Sequence, residues 1–271
     1  MNDESWKNKV ALVTGASSGI GWETAKLLAE KGIRVAITAR REERLAALAE
    51  AILEQGGTVL VLPADLRDHE ARQTLIAQIH ESWGPVDILV NNAGFGWGID
   101  FSKMKWETIQ AMLEVNVIAL THLTNLVLPE MMERQQGWIV NIASIAGDLP
   151  TPPLTLYCAT KTMVQSLSEA LYREVKRKGV HVGVVNPGPI ATEFAAVAYG
   201  WSEEKSTSKG TPPEAVAHGI WRTIARRRKR VYVPWYFRSA RWVNMVFEYL
   251  VDWLHPIVVE TFRKDKQRQV E

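Results

Sequence analysis

Apolar positions along this chain fall into short unbroken runs, separated by longer stretches with helical periodicity. KVALVT (9–14), RVAITA (34–39), TVLVLPADL (58–66), VDILVNNAG (86–94), GWIVNIAS (137–144), VHVGVVNPG (180–188) and RVYVP (230–234) read as seven strands. A strand with one wet face alternates apolar and polar residues. Unbroken runs mean that both faces are covered. Between the runs lie ETAKLLAEKG, with Gly32 as its stop, EERLAALAEAILEQGG, residues 68–83, and a segment from about Thr155 to Lys178 stopped by Gly179. TPPEAVAHGIWRTIARRR is a further helix with prolines at its start. A long helical region from about Trp106 to Arg134 is expected to break near Pro129, and 189–210 reads as a loop of small and polar residues. Strands alternating with helices of this length predict a parallel, doubly wound α/β sheet. With no repeat and no linker, residues 1–271 form one domain.

Composition narrows the classes. The 271 residues are 46% hydrophobic and 23% charged, ordinary globular values, and enough chain to bury a sizeable core. The formal net charge of +2 argues against nucleic-acid binding, which calls for a strong basic excess. A single cysteine, Cys158, excludes an intrachain disulfide and a cysteine metal site, and fits a reducing, cytoplasmic setting. The histidines lack paired metal spacing. The polar start MNDESWKNKV offers no signal peptide, and no unbroken apolar run reaches the length of an ordinary membrane span.

The stretch TGASSGIG, 14–21, joins the first strand to the first helix. Its glycines permit a tight turn, and the helix N-terminus behind them offers free N–H groups and a positive dipole end to a pyrophosphate. At the end of the second strand, a carboxylate would take the ribose 2′-OH of NAD. The chain has Ala39, Arg40 and Arg41 there, and guanidinium groups suit a 2′-phosphate. NADP(H) is therefore expected in preference to NAD. Further on, Ser144 precedes a proline-rich turn, and Tyr157 and Lys161 stand four positions apart, on one face of a helix.

With NNAG at 91–94, Asn116, and PG at 187–188, these pieces resemble the short-chain dehydrogenase/reductase family over roughly Asn8 to Pro234. The resemblance implies a Rossmann-type sheet and an oxidoreductase that acts on CH–OH groups. It implies that Gly15, Ser17, Ser18, Gly19, Ile20 and Gly21 line the diphosphate, that Arg40 meets the 2′-phosphate, and that Asp65 and Leu66 flank the adenine. Asn92, Ala93 and Gly94 would contact the ribose region and support the sheet. Pro187, Gly188, Ile190 and Thr192 would hold the carboxamide. Asn116, Ser144, Tyr157 and Lys161 map onto the catalytic residues, with Tyr157 and Lys161 also touching the cofactor and Asn116 holding a water beside Lys161. The chemistry agrees: a phenol can give a proton to a ketone oxygen, a nearby ammonium stabilises the phenolate, and a serine can hydrogen-bond the developing charge. Family members are commonly dimers or tetramers, so a homodimer or homotetramer is expected.

The turn after Ser144, the segment after NNAG and the loop after PG supply Leu149, Pro150, Pro153, Leu154, Phe95, Trp97, Phe194, Val197, Tyr199 and Trp201. This lining predicts a small hydrophobic ketone or secondary alcohol, lipid- or steroid-like, with the loop from about Glu193 to Gly210 as a mobile lid. Cys158 is read as a packing residue. Residues 235–271 form an extension with no counterpart in the family core. Asn244, Glu248, Asp252 and His255 lie on one helical face, and Trp242, Val243, Met245, Val246, Phe247, Tyr249, Leu250, Trp253 and Leu254 on the other. That face could cover the site, pack in an oligomer, or make peripheral membrane contact. A non-catalytic nucleotide sensor or membrane-surface scaffold on the same fold is the competing reading.

Overall fold

The structure is a computed structural model describing residues 3–199, 210–246 and 249. Its sheet has seven parallel strands, β1 (Val10–Thr14), β2 (Arg34–Thr38), β3 (Thr58–Val61), β4 (Ile88–Asn91), β5 (Gly137–Ile142), β6 (Val180–Pro187) and β7 (Arg230–Val233). The spatial order is β3-β2-β1-β4-β5-β6-β7. Order reverses between β1 and β4, so the loops leaving those two strands diverge and open a crevice at their C-terminal ends. The expected doubly wound α/β architecture is the one observed.

Every residue of β1, β4, β5 and β6 is buried, which is why their sequences do not alternate. The pleat divides them between two cores. Ala11 and Val13 face α1 (Gly19–Glu30), α2 (Glu42–Glu54) and α8 (Pro213–Ala225), through residues such as Leu28, Leu48 and Ile220. Val10 and Leu12 face α3 (His69–Trp83), α5 (Leu120–Glu133) and α6 (Thr155–Val175), through Leu75, Val127 and Val175. Trp6, 2% exposed, closes the first core, with its ring centroid 5.0 Å from that of Trp138 and 5.2 Å from that of Trp221.

The long helix differs from expectation. Pro129 lies inside α5 without ending it. Proline forfeits one hydrogen bond, but Leu123, Val127 and Met131 bury the same helix against the sheet, and that packing carries the chain through. The irregularity comes earlier: α4 (Trp106–Leu113) passes through a π turn, Glu114–Ala119, before α5 begins. Together 106–133 are long and apolar enough to cross a membrane, with mean hydropathy 1.5, although no single apolar run shows it. Here Leu123, Val127 and Met131 turn part of that apolarity to the sheet, while Trp106 and Ile118 are exposed. The expected loop after β6 contains a short helix, α7 (Phe194–Tyr199), and its residues 200–209, with Trp201, lie outside the described residues.

In the C-terminal extension, a 3-10 turn (Trp235–Ser239) leads into α9 (Ala240–Val246). Trp235, Trp242, Val243, Met245 and Val246 are exposed. The rest of the expected amphipathic face, Phe247, Glu248, Leu250, Asp252, Trp253, Leu254 and His255, lies outside the described residues.

A polar thread crosses the second core. Asn91 and Asn141 are register partners on β4 and β5. Asn91 Nδ2 donates to Asn141 Oδ1 at 2.9 Å and Thr124 Oγ1 at 3.1 Å, and Asn141 Nδ2 donates to Ser168 Oγ at 2.9 Å. Asn141 is fully buried, so its bonds have no water to replace them. Asn141→Ala removes two buried hydrogen bonds, to Asn91 and to Ser168, and should lower the unfolding free energy by about 2–4 kcal/mol, read as a fall in the urea midpoint.

Candidate active site

The crevice floor is set by the first turn. Thr14 Oγ1 donates to the Val90 carbonyl at 3.2 Å and accepts the N–H groups of Asn92 and Ala93, each at 3.0 Å. Asn92 Nδ2 returns bonds to the Thr14 and Gly15 carbonyls at 2.9 and 3.2 Å. Asn92 thus clamps the ends of β1 and β4 together. Gly15 has φ +66°, and a Cβ there would lie 2.8 Å from Ala93 Cα, so only glycine fits. Gly21, in the first turn of α1, backs against the Gly15 carbonyl. The result is a turn of bare backbone leading to a helix N-terminus, a cradle whose shape fits a dinucleotide diphosphate.

On the other side of the crevice, α6 places Tyr157 and Lys161 on one face, both buried. Lys161 Nζ donates to the Ile142 carbonyl at 2.8 Å and stands 5.7 Å from the Tyr157 ring centroid. Burial pushes the Lys161 pKa down to about 8. The π turn aims Asn116 at the same place. Its Oδ1 accepts from Phe95 N at 3.0 Å, and its Nδ2 donates to Phe95 O at 2.9 Å and Thr160 Oγ1 at 3.1 Å. These opposed bonds fix the amide orientation. Gly94 lets the groups converge: a Cβ there would lie 3.0 Å from Asn116 Oδ1 and 3.4 Å from Lys161 Nζ. Ser144 follows β5 and caps a 3-10 turn, accepting the Ala146 N–H at 3.1 Å. Asn116, Tyr157, Lys161 and the Gly94 backbone therefore meet at the C-terminal edge of the sheet, with Ser144 at the strand end beside them.

Other expected residues are placed as follows. Arg40 is exposed near Asp65, whose carboxyl is held below its ordinary range chiefly by Arg67. The next residue, Arg41, reaches the glycine turn, donating to Ser17 Oγ at 3.1 and 3.2 Å and to Ser18 Oγ at 2.9 Å. Leu66 is buried with Leu75 in the second core, and its carbonyl accepts from Arg72 Nη1. Gly188 lies against the Phe237 ring, Ile190 bridges to Thr211, and Thr192 packs on Gly19. Ile20 is half-buried on the first core. Pro187 ends β6 beside Val233.

The Phe194 ring lies 5.3 Å from that of Tyr157, tilted by 50°, and Leu154, Phe95 and Cys158 pack in the same small cluster. Leu149 and Pro153 are half-buried, while Pro150 and Trp97 are exposed; the side chains of Val197 and Tyr199 lie outside the described residues. Cys158 is buried and its thiol is pushed up by burial, as suits a packing residue. No metal-binding cluster of His, Cys, Asp or Glu occurs among the described residues.

Residues absent from the sequence reading also shape the site. Gln165, one turn beyond Lys161, donates to the Ser144 carbonyl at 3.0 Å and to Asn186 Oδ1 at 2.9 Å. Its helical spacing from Tyr157 and Lys161 is a signal visible in the chain. Glu193, which binds Arg41, had none, because the two are 152 positions apart.

The chain belongs to the short chain dehydrogenase family, whose sequence profile matches residues 9–202. It is accordingly an oxidoreductase of that family. It is 35% identical over 222 residues to the NADP-dependent 3-hydroxy acid dehydrogenase YdfG of Salmonella typhi, covering 78% of this chain and 87% of that protein. A short-chain dehydrogenase from Sphingobium yanoikuyae, solved in complex with NADPH, superposes with TM-score 0.79 at 30% identity, over 90% of this chain and 95% of that one. The bulky-bulky ketone specific alcohol dehydrogenase from Comamonas testosteroni superposes with TM-score 0.74 at 28% identity, over 83% and 86% of the two chains.

Burying the Lys161 amine costs stability. The unfolded chain keeps that proton up to the ordinary lysine value of 10.5, and the folded chain releases it near 8. Between those values the unfolded state binds more protons, so the penalty is full below pH 8 and fades as pH rises to 10.5. Lys161→Met should therefore be more stable than the parent at pH 7, by about 1–3 kcal/mol, with the advantage shrinking across that window. Urea titrations at a series of pH values measure it; a variant less stable at pH 7 than at pH 10 relative to the parent contradicts the assignment.

Proposed function

We propose that this chain is an NADP(H)-dependent carbonyl reductase or secondary-alcohol dehydrogenase acting on a hydrophobic substrate, with Tyr157 as the general acid and base. The observation that carries the reading is the convergence of Tyr157, Lys161 and Asn116 beside the glycine turn, with Gly94 cleared to admit them. A bound nicotinamide supplies the hydride. The protein's residues do the rest. Tyr157 gives its hydroxyl proton to the ketone oxygen, and takes one in the reverse direction. Lys161, mostly protonated at neutral pH, stabilises the phenolate left behind. The Ser144 hydroxyl donates to the substrate oxygen as charge develops. Gly15, Ser17, Ser18, Gly19, Ile20 and Gly21 would hold the diphosphate side of the cofactor, and Arg41, with Arg40, the 2′-phosphate.

Phe95, Leu154 and Phe194 line the approach to Tyr157 and offer no cation to a substrate carboxylate. This supports a ketone rather than a hydroxy acid, nearer in chemistry to the substrate class named for the Comamonas enzyme than to that named for YdfG. Exposed Trp106 and Ile118, on α4 and the π turn, support a homo-oligomer that would cover them.

Parallel titration with NADPH and NADH, followed by tryptophan emission, tests the cofactor. NADPH should bind at least about tenfold tighter, since a 2′-phosphate bound by arginine contributes a charge-assisted bond absent from NADH. Tyr157→Phe should cut turnover of a bulky ketone by about 10²–10⁴-fold while NADPH affinity stays within twofold or so. Equal affinities would remove the NADP(H) reading. Turnover surviving in Tyr157→Phe would remove the proton-transfer role.

A further inference from the structure

The anion-binding face of Arg41 is already filled by the protein itself. Arg41 spends Nε and Nη2 on Ser17 and Ser18, and its remaining Nη1 donates to Glu193 Oε2 at 2.9 Å. Arg44 Nη2 approaches Glu193 Oε1 at 3.3 Å, so both carboxylate oxygens are engaged. Glu193 belongs to the segment after β6. Its neighbour Thr192 lies against Gly19, where a glycine Cβ would come within 2.8 Å of the threonine methyl. Its other neighbour, Phe194, lies against Tyr157. One three-residue stretch thus touches the glycine turn, the arginine pair and the proton donor.

A carboxylate and a phosphate monoester compete for the same guanidinium geometry. We propose that Glu193 is an internal competitor of the cofactor's 2′-phosphate, and so a specificity-determining residue. It lowers affinity for NADP(H) without touching affinity for NAD(H), and the phosphate must displace it from Arg41. Displacement frees the strip that carries Phe194, which ties arrival of the phosphorylated cofactor to movement of the wall beside Tyr157. The inference rests on the proposed NADP(H) reading for its ligand, and on the Arg41–Glu193–Arg44 cluster for its mechanism. The local charge balance fits. Asp65 is paired with Arg67 and lies near Arg40, while Arg41 and Arg44 share one carboxylate, that of Glu193. An incoming phosphate dianion would meet a net attraction that strengthens when Glu193 withdraws.

Glu193→Gln keeps the side-chain shape and removes the charge. It should tighten NADPH binding by about two- to tenfold and leave NADH binding unchanged, the range expected for release of a half-exposed ion pair and its repulsion of a phosphate. In an Arg41→Gln background, which itself weakens NADPH, the Glu193→Gln gain should vanish. A Glu193→Gln protein with unchanged or weaker NADPH affinity, or an equal change for both cofactors, overturns the proposal. So does an undiminished gain in the Arg41→Gln background. A parent protein that binds NADPH and NADH equally, yet acquires an NADPH preference with Glu193→Gln, would sink the NADP(H) reading and uphold the competition.

Discussion

A buried amine organises this site. Lys161 is buried, bonded to the Ile142 carbonyl at the end of β5. An ammonium in that position is expensive unless its surroundings are polar and fixed. The surrounding features follow from that requirement. Gly94 has no side chain, so the NNAG backbone can come close. Asn116 arrives on a π turn, the kind of helix defect that re-aims a side chain at a cost in helical regularity. Thr160, bonded to Asn116, presents its hydroxyl from the helix that carries Lys161. The arrangement trades stability for a cation beside a phenol.

The sheet makes that trade affordable. Two apolar cores grip both faces of the central strands, and the polar thread through Asn91, Asn141, Thr124 and Ser168 fixes β4 and β5 relative to α5 and α6. Those strands lead to Gly94 and Ser144, the π turn before α5 delivers Asn116, and α6 delivers Tyr157 and Lys161. Rigid positioning of a proton donor to within a fraction of an ångström needs supports of this kind. The cofactor side is looser: Arg41, Arg44 and Glu193 are half-exposed, so their pairing responds to ligand and salt in a way the buried groups do not.

The strands, the glycine turn and the Tyr157–Lys161 pair could be read from the chain alone. Each is a local signal: an unbroken apolar run, a turn that excludes side chains, a spacing of four on a helix. The π turn was not legible. Pro129 looked like the break, but packing of Leu123, Val127 and Met131 outweighed one lost hydrogen bond. Arg40 and Arg41 are adjacent and chemically alike; backbone direction at the start of α2 decides which one turns back to Ser17 and Ser18.

The sequence by itself therefore determined the class of fold, the succession of strands and helices along the chain, and the chemical kinds of group at the site, because periodicity and turn chemistry act over a few residues. Tertiary structure alone decided which groups meet. Asn116 with Phe95, Gln165 with Ser144 and Glu193 with Arg41 are long-range encounters, set by strand register, by a helix defect and by loops crossing at a sheet edge. No local pattern encodes such distances, since they are sums of packing across the whole domain.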